Sequence, residues 1–435
     1  MISNRVFIFA AILLAGGCAA DQEQIKTEIT KWHDGKKAAV SLTFDDGTRN
    51  QFSVAMPMLD ELKMPATFYI ITGEVEGSSY EGKYLGRPIA EVIKGTADTP
   101  TNKDNFFERA SAIGFSGYKG ALAFHTDAGT LFEGGKTEAA YRLIDSGYNL
   151  IRSGRLPRTS DKGGSKHLTW AAIKEYAAKG HEFGSHTVTH PRLAVLTEPN
   201  ILYELEKSKE DIANNLGEAY TFSAECPYGT EDERVMEYAY KVYPSLRNRM
   251  PEKYLAELNR GSKEAPGSRN EEYVQWQRGA VTKTPLPMIK SWVDTVLTHD
   301  NNWLVLVFHG VDGIGWEALP GSMLKEYFEY MKQREDSLWI ATFADVTKYM
   351  RERMNADVKT SDENGTIKVE LTHSLDDKMY NLPLTLRTYV PADWQQAEVN
   401  QSGKPVSIPV MKDDKGSFVQ YQMLPNRNSA TIRKV

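Results

Sequence analysis

The chain has 435 residues, 41% hydrophobic and 25% charged, which is the balance of a globular protein with room for two or three domains. A formal net charge of −6 argues against a general grip on polyanions, so nucleic acid is not an expected partner. The two cysteines, Cys18 and Cys226, leave no internal disulfide if Cys18 is lipidated or removed, and the domains must then hold by core burial.

At the start of the chain, Arg5 precedes an apolar run from Val6 to Ala15, followed by small residues and Cys18. That run is too short to span a bilayer as a mature helix and reads as an export signal over residues 1–20. Leu14-Ala15-Gly16-Gly17-Cys18 resembles a bacterial lipobox, with Ala15 where leucine is usual. A lipid on Cys18 would anchor the protein to the cell envelope, periplasmic or surface-facing; cleavage after Ala20 into a secreted form is the alternative. Residues 21–36 are polar and read as a tether.

From residue 37 the pattern becomes strand, helix, strand. A β-branched run ends at Phe44-Asp45-Asp46-Gly47, Phe52 to Met64 has helical spacing closed by Pro65, and Ala66 to Ile71 is the next strand. Parallel β/α architecture follows from that order. Between about 74 and 167 the alternation breaks, with short helices at Phe106–Ile113 and Thr137–Ser146, and this stretch reads as an insertion. Its cluster Arg152, Arg155, Arg158, Lys162 and Lys166 reads as a solvated loop.

The barrel grammar resumes with a helix over Leu168–Lys179 and a short strand Glu182–Ser185 that delivers His186. A helix over Glu198–Leu216 and a strand Thr221–Ala224 leading to Pro227-Tyr228-Gly229 come next. The apolar strand Trp303–Phe308 ends at His309, and a helix from Ser322 to Lys332, a strand Leu338–Phe343 and a helix to Met354 close the domain at 354. Residues 355–435 change to short strands and turn signals, a small all-β, sandwich-like module. Trp394 or Tyr421 is a possible sugar contact there, and packing against the barrel is the preferred reading.

Two motifs carry chemistry. Thr43-Phe44-Asp45-Asp46-Gly47 brings two carboxylates to the end of a strand, and His186-Thr187-Val188-Thr189-His190 sets two imidazoles four residues apart, facing one way in a helical turn. One carboxylate and two imidazoles form a three-ligand set for zinc, with a position open for water. The second carboxylate is a candidate general base.

Here the chain resembles the polysaccharide deacetylases, the NodB-like group also called carbohydrate esterase family four. The resemblance covers roughly residues 38–73 and 167–350. It implies a distorted (β/α) barrel and a metal-dependent deacetylase that removes N-acetyl or O-acetyl groups from a carbohydrate. Asp46, His186 and His190 would hold a divalent metal, zinc first, with cobalt or nickel as alternatives. Metal-bound water would be the nucleophile, Asp45 the base and His309 the acid, and the Tyr228 backbone N–H would bind the oxyanion. The implied partner is an acetylated glycan, with chitin oligomers or peptidoglycan before acetyl-xylan.

Two departures stand out. Glu225 occupies the place of the family arginine that orients the base, and no clear aspartate orients the acid histidine; Asp312 and Asp345 are weak candidates. Arg247 and Arg249, one element later, are substitutes by position. Pro227, Trp316 and Arg247 are further candidate substrate contacts. A Cys226 nucleophile served by His309 leaves Asp46, His186 and His190 without a role. The remaining histidines, His33, His125, His167, His181, His299 and His373, lack ligand-like spacing. A carbohydrate-binding protein with little turnover is the alternative function. Oligomeric state is not legible.

Overall fold

The computed structural model describes residues 25–159, 168–249, 274–299 and 302–435. The export signal, Cys18, Lys162, Lys166 and His167 lie outside these residues. None of the described helices is long and apolar enough to cross a membrane.

The larger part of the molecule is built on an eight-stranded sheet whose pairings are all parallel. The strand order is Ser245–Leu246, Ser223–Ala224, Glu182–Ser185, Thr67–Ile70, Ala38–Phe44, Asn302–Phe308, Val274–Gly279. Leu338–Ile340 pairs with the first residues of Ala38–Phe44, and Thr67–Ile70 pairs with its last two. The sheet curls into an incomplete barrel with helices outside it.

Ala38–Phe44 is buried along its whole length, as the continuous apolar run requires. Val40, Leu42 and Phe44 join a core shared with the outer helices; Ala39 joins a second cluster with Trp303, Phe343 and Val346. Each large side chain so buried contributes roughly 1.5–3 kcal/mol relative to exposure.

One expectation needs correction. Residues 21–36 are not a tether over their described part: Thr27–Ile29 is an edge strand paired antiparallel with Leu384–Tyr389, and Trp32 is fully buried beside Trp303. Strand and indole recover apolar burial and ladder bonds that a free linker would forgo. The insertion after residue 74 is mainly helical, and more so than its two expected short helices. Ile89–Gly95, Phe106–Gly114, Ala121–Glu133 and Thr137–Arg152 are helices around their own core of Phe106, Ile113, Ile144 and Tyr148. Its glycines are contact points as well as breaks; a Cβ on Gly147 would lie 2.5 Å from Ile113.

The C-terminal module is two antiparallel sheets, one of which includes Thr27–Ile29. Tyr349 from the last barrel helix enters its core. Trp394 and Tyr421 are buried in that core with Tyr349, which fits the packing reading and leaves no sugar platform.

Candidate active site

Asp45, Asp46, His186, Tyr228 and His309 all follow C-terminal strand ends, and they meet in one cleft of about 620 Å³ with His190, Arg192, Arg247 and Trp316. Loops gathered at that edge of a parallel sheet are where α/β folds build sites. Gln51 joins the two central motifs, its amide donating to the carbonyl oxygens of both Asp45 and His309.

The Asp46, His186 and His190 ligand atoms lie within 4.8 Å of one another. The imidazole Nε2 atoms are 3.1 Å apart, and Asp46 Oδ1 is 3.7 and 3.5 Å from those of His186 and His190. Tetrahedral ligands about 2.1 Å from an ion are about 3.4 Å from one another, so this triangle suits a tetrahedrally held divalent ion. His186 Nδ1 lies 2.8 Å from the Glu225 carbonyl oxygen, which leaves Nε2 for the ion.

Electrostatics point the same way. Burial brings His186 down to about 4 and, with His186 as neighbour, His190 to about 3, so both rings are neutral and ligand-competent near pH 7. Burial and then Asp45 push Asp46 up to about 7, a carboxylate that a cation would stabilise.

The histidine pair does not sit on a helix, contrary to the turn its spacing suggests. His186–His190 is a loop with Thr187 at φ 67° and His190 at φ 58°. The adjacent carboxylates separate because Asp46 turns into the left-handed region, φ 74°.

Asp45 is buried, and its Oδ2 receives Arg247 Nη2 at 2.6 Å and lies 3.4 Å from His309 Nε2. Burial alone would raise its pKa; Arg247, His309 and His186 bring it below the usual value. Arg247 also donates from Nε to Glu225 Oε2 at 3.1 Å and from Nη1 to Thr43 Oγ1 at 2.8 Å. Arg247 is thus held among Asp45, Glu225 and Thr43 while it also lines the cleft. Arg249 instead pairs with Glu231.

Burial lowers the His309 pKa, opposed by Asp45, and its ring meets Trp316 edge-on at 4.6 Å. Asp312 accepts the Gly321 N–H, and Asp345 sits in the first turn of the Phe343–Asn355 helix; each is engaged in a helix start rather than on His309. Trp316 is 60% exposed on the rim. Tyr228 is 42% exposed with φ 62°, its ring against His190 and under the Arg192 guanidinium. Pro227 is buried and does not line the cleft. Cys226 is a buried core thiol whose pKa burial raises well above its ordinary value, unlike an activated nucleophile.

Two residues of the site escape the motifs. Arg192 lines the cleft, paired with Glu133 of the helical insertion, and its backbone N–H donates to His125 Nε2. The insertion therefore holds a wall of the cleft. Glu204 is fully buried and receives the N–H groups of Val188 and Thr189. A carboxylate in the middle of a buried helix face was the available signal for it.

Residues 33–99 and 134–243 match the polysaccharide deacetylase family. Over those residues the chain carries a polysaccharide deacetylase domain. Asp45, Asp46, His186, His190 and Tyr228 lie in the matched segments of the deacetylase domain; Arg247, His309 and Trp316 lie beyond them. A gellan lyase from a Bacillus species is 23% identical over 270 residues, 59% of this chain and 11% of that protein. The chain thus spans about a tenth of the curated relative it matches.

Among solved structures, the family 4 carbohydrate esterase from Streptomyces lividans is 11% identical, with 70% of this chain and 92% of that one covered and a TM-score of 0.34. The family 4 carbohydrate esterase from Bacillus anthracis is 13% identical, with 72% and 83% covered and a TM-score of 0.33. Likeness at that level does not transfer residue roles.

Proposed function

We propose that the deacetylase domain hydrolyses acetyl groups on a carbohydrate with a divalent cation held by Asp46, His186 and His190. The observation that carries this reading is the convergence of those three side chains in one cleft with Asp45 and His309. When bound, the cation lowers the pKa of a water and polarises the acetyl carbonyl, the two tasks that are hardest at neutral pH.

The chain's own residues do the rest. Asp45 is held ionised by Arg247 and accepts the proton of the attacking water. His309, 3.4 Å from Asp45, protonates the departing nitrogen or oxygen. The Tyr228 backbone N–H, presented by a left-handed turn, faces the developing oxyanion. Trp316 offers an exposed ring for an apolar sugar face.

Arg247 does from a neighbouring strand what the family arginine does from the position now held by Glu225. An N-acetylated glycan such as a chitin oligomer or peptidoglycan is the first substrate class, and O-acetylated xylan the second. We place the enzyme outside the cytoplasm, anchored through a lipid on Cys18; labelled palmitate incorporated by the wild type and lost in Cys18→Ser tests this.

An acetate-release screen over acetylated glycans, run with zinc or cobalt, tests the chemistry. Release by the wild type and its loss in Asp45→Asn are expected. Tight metal binding without release from any glycan would instead favour a carbohydrate-binding protein on this fold.

A further inference from the structure

The loop that carries both imidazoles has two non-glycine residues in the left-handed region, a conformation that needs outside support. Its backbone hydrogen bonds account for that support. The Thr187 N–H donates to Ser185 Oγ at 3.1 Å, and the His190 N–H to Thr187 Oγ1 at 3.0 Å. On the carbonyl side, Thr187 accepts from the Thr72 N–H and Val188 from the Gly73 N–H. Gly73 is required there, because a Cβ would lie 2.5 Å from the Val188 oxygen.

The two middle N–H groups, Val188 and Thr189, both go to Glu204 Oε2, at 2.9 and 2.8 Å. The other oxygen, Oε1, receives the Thr189 hydroxyl at 2.7 Å. One carboxylate thus closes the loop's hydrogen bonding with three donors.

Glu204 is not isolated. It belongs to a stripe on the Glu198–Leu216 helix, Asn200, Glu204, Ser208 and Asp211, at helical spacing and all buried. Each other member reaches a neighbouring segment: Asn200 the Leu85 backbone, Ser208 the Ser185 hydroxyl, Asp211 the Ser79 N–H. Burying a carboxylate is costly unless donors compensate it, and an apolar side chain would serve the packing of a helix better. The stripe fastens these segments and the histidine loop to one helix.

We propose that Glu204 is a positioning residue for the ion site, acting through Val188 and Thr189 to hold His186 and His190 in ligating geometry. This rests on the cation reading above. Support of this kind around metal ligands is typically worth 10- to 100-fold in affinity. The test measures zinc affinity by chelator competition and the visible spectrum of the cobalt-loaded protein, for wild type, Glu204→Ala, Glu204→Gln and Thr189→Val.

Glu204→Ala is expected to bind zinc about 10- to 100-fold more weakly, with an altered cobalt band and kcat recovered at saturating zinc. Glu204→Gln, which keeps one acceptor, and Thr189→Val, which removes one donor, should fall between. Wild-type affinity and an unchanged cobalt band in Glu204→Ala overturn the proposal. If that variant does not fold, wild-type values in both Glu204→Gln and Thr189→Val overturn it equally. Failure of the wild type to bind zinc at all would remove the cation reading itself, a separate and recognisable result.

Discussion

Arg247 concentrates the electrostatics of the site in one side chain. Its guanidinium touches Asp45 and Glu225, both buried, so its removal leaves two carboxylates without their shared cation. Arg247→Ala should cost about 3–5 kcal/mol of stability and lower kcat at least about a hundredfold, measured by denaturant unfolding and acetate release. Arg247→Lys should recover little, because a lysine ammonium cannot reproduce the fork that reaches both carboxylates. Wild-type kcat in the alanine variant would detach Arg247 from the base. Trp316 is the contrasting case: its side chain is exposed and meets the His309 ring edge to face, so Trp316→Ala should raise KM several-fold with kcat nearly kept. Both motifs were legible because the chemistry demands those residue types together. Arg247 was legible only by position, since an arginine one strand away has no local signature. Pro227 was misplaced for a similar reason: residue order does not say which side of a turn faces the cleft.

Among the elements, the helical insertion was the hardest to read and is tied to the site through His125. That histidine is buried, its Nδ1 2.9 Å from the Ala110 oxygen and its Nε2 accepting from the Arg192 N–H. Burial lowers its pKa from 6.5 to about 4. Between those values the unfolded chain binds a proton that the folded chain does not, so stability falls as pH drops through the window, by up to about 3 kcal/mol. Denaturant unfolding from pH 7 to 4 should therefore show a steeper loss in the wild type than in His125→Gln; parallel profiles would contradict the burial argument. The Ala121–Glu133 helix has no sequence signature because its buried positions, Ala121, His125, Ala128 and Gly129, are small or polar and carry little apolar signal. The long helix Glu198–Leu216 has the bounds its sequence predicts, with Pro199 near its start and Gly217 after its end. Its polar stripe passed unremarked because a periodicity search weighs apolar faces, and this buried face is partly polar.

At the scale of the whole molecule, barrel and C-terminal module share structure in both directions. Tyr349 of the barrel's last helix enters the module's core, and Thr27–Ile29 joins the module's sheet before the chain reaches buried Trp32. Removing residues 1–32 should lower stability by several kcal/mol relative to removing residues 1–24, because a fully buried indole and a strand are lost. Equal melting temperatures for the two truncations would restore the tether reading. The barrel class and the change to β structure after residue 355 were legible from hydrophobic period. The N-terminal strand was not, because three residues of mixed polarity pair with a partner more than 350 positions away.

Metal dependence of turnover is the most direct measurement of all. Protein stripped with a chelator and confirmed metal-free should release no acetate, regain activity as about one equivalent of zinc or cobalt is returned, and bind that equivalent in Asp45→Asn without release. Full turnover by the metal-free protein would contradict the role given to Asp46, His186 and His190.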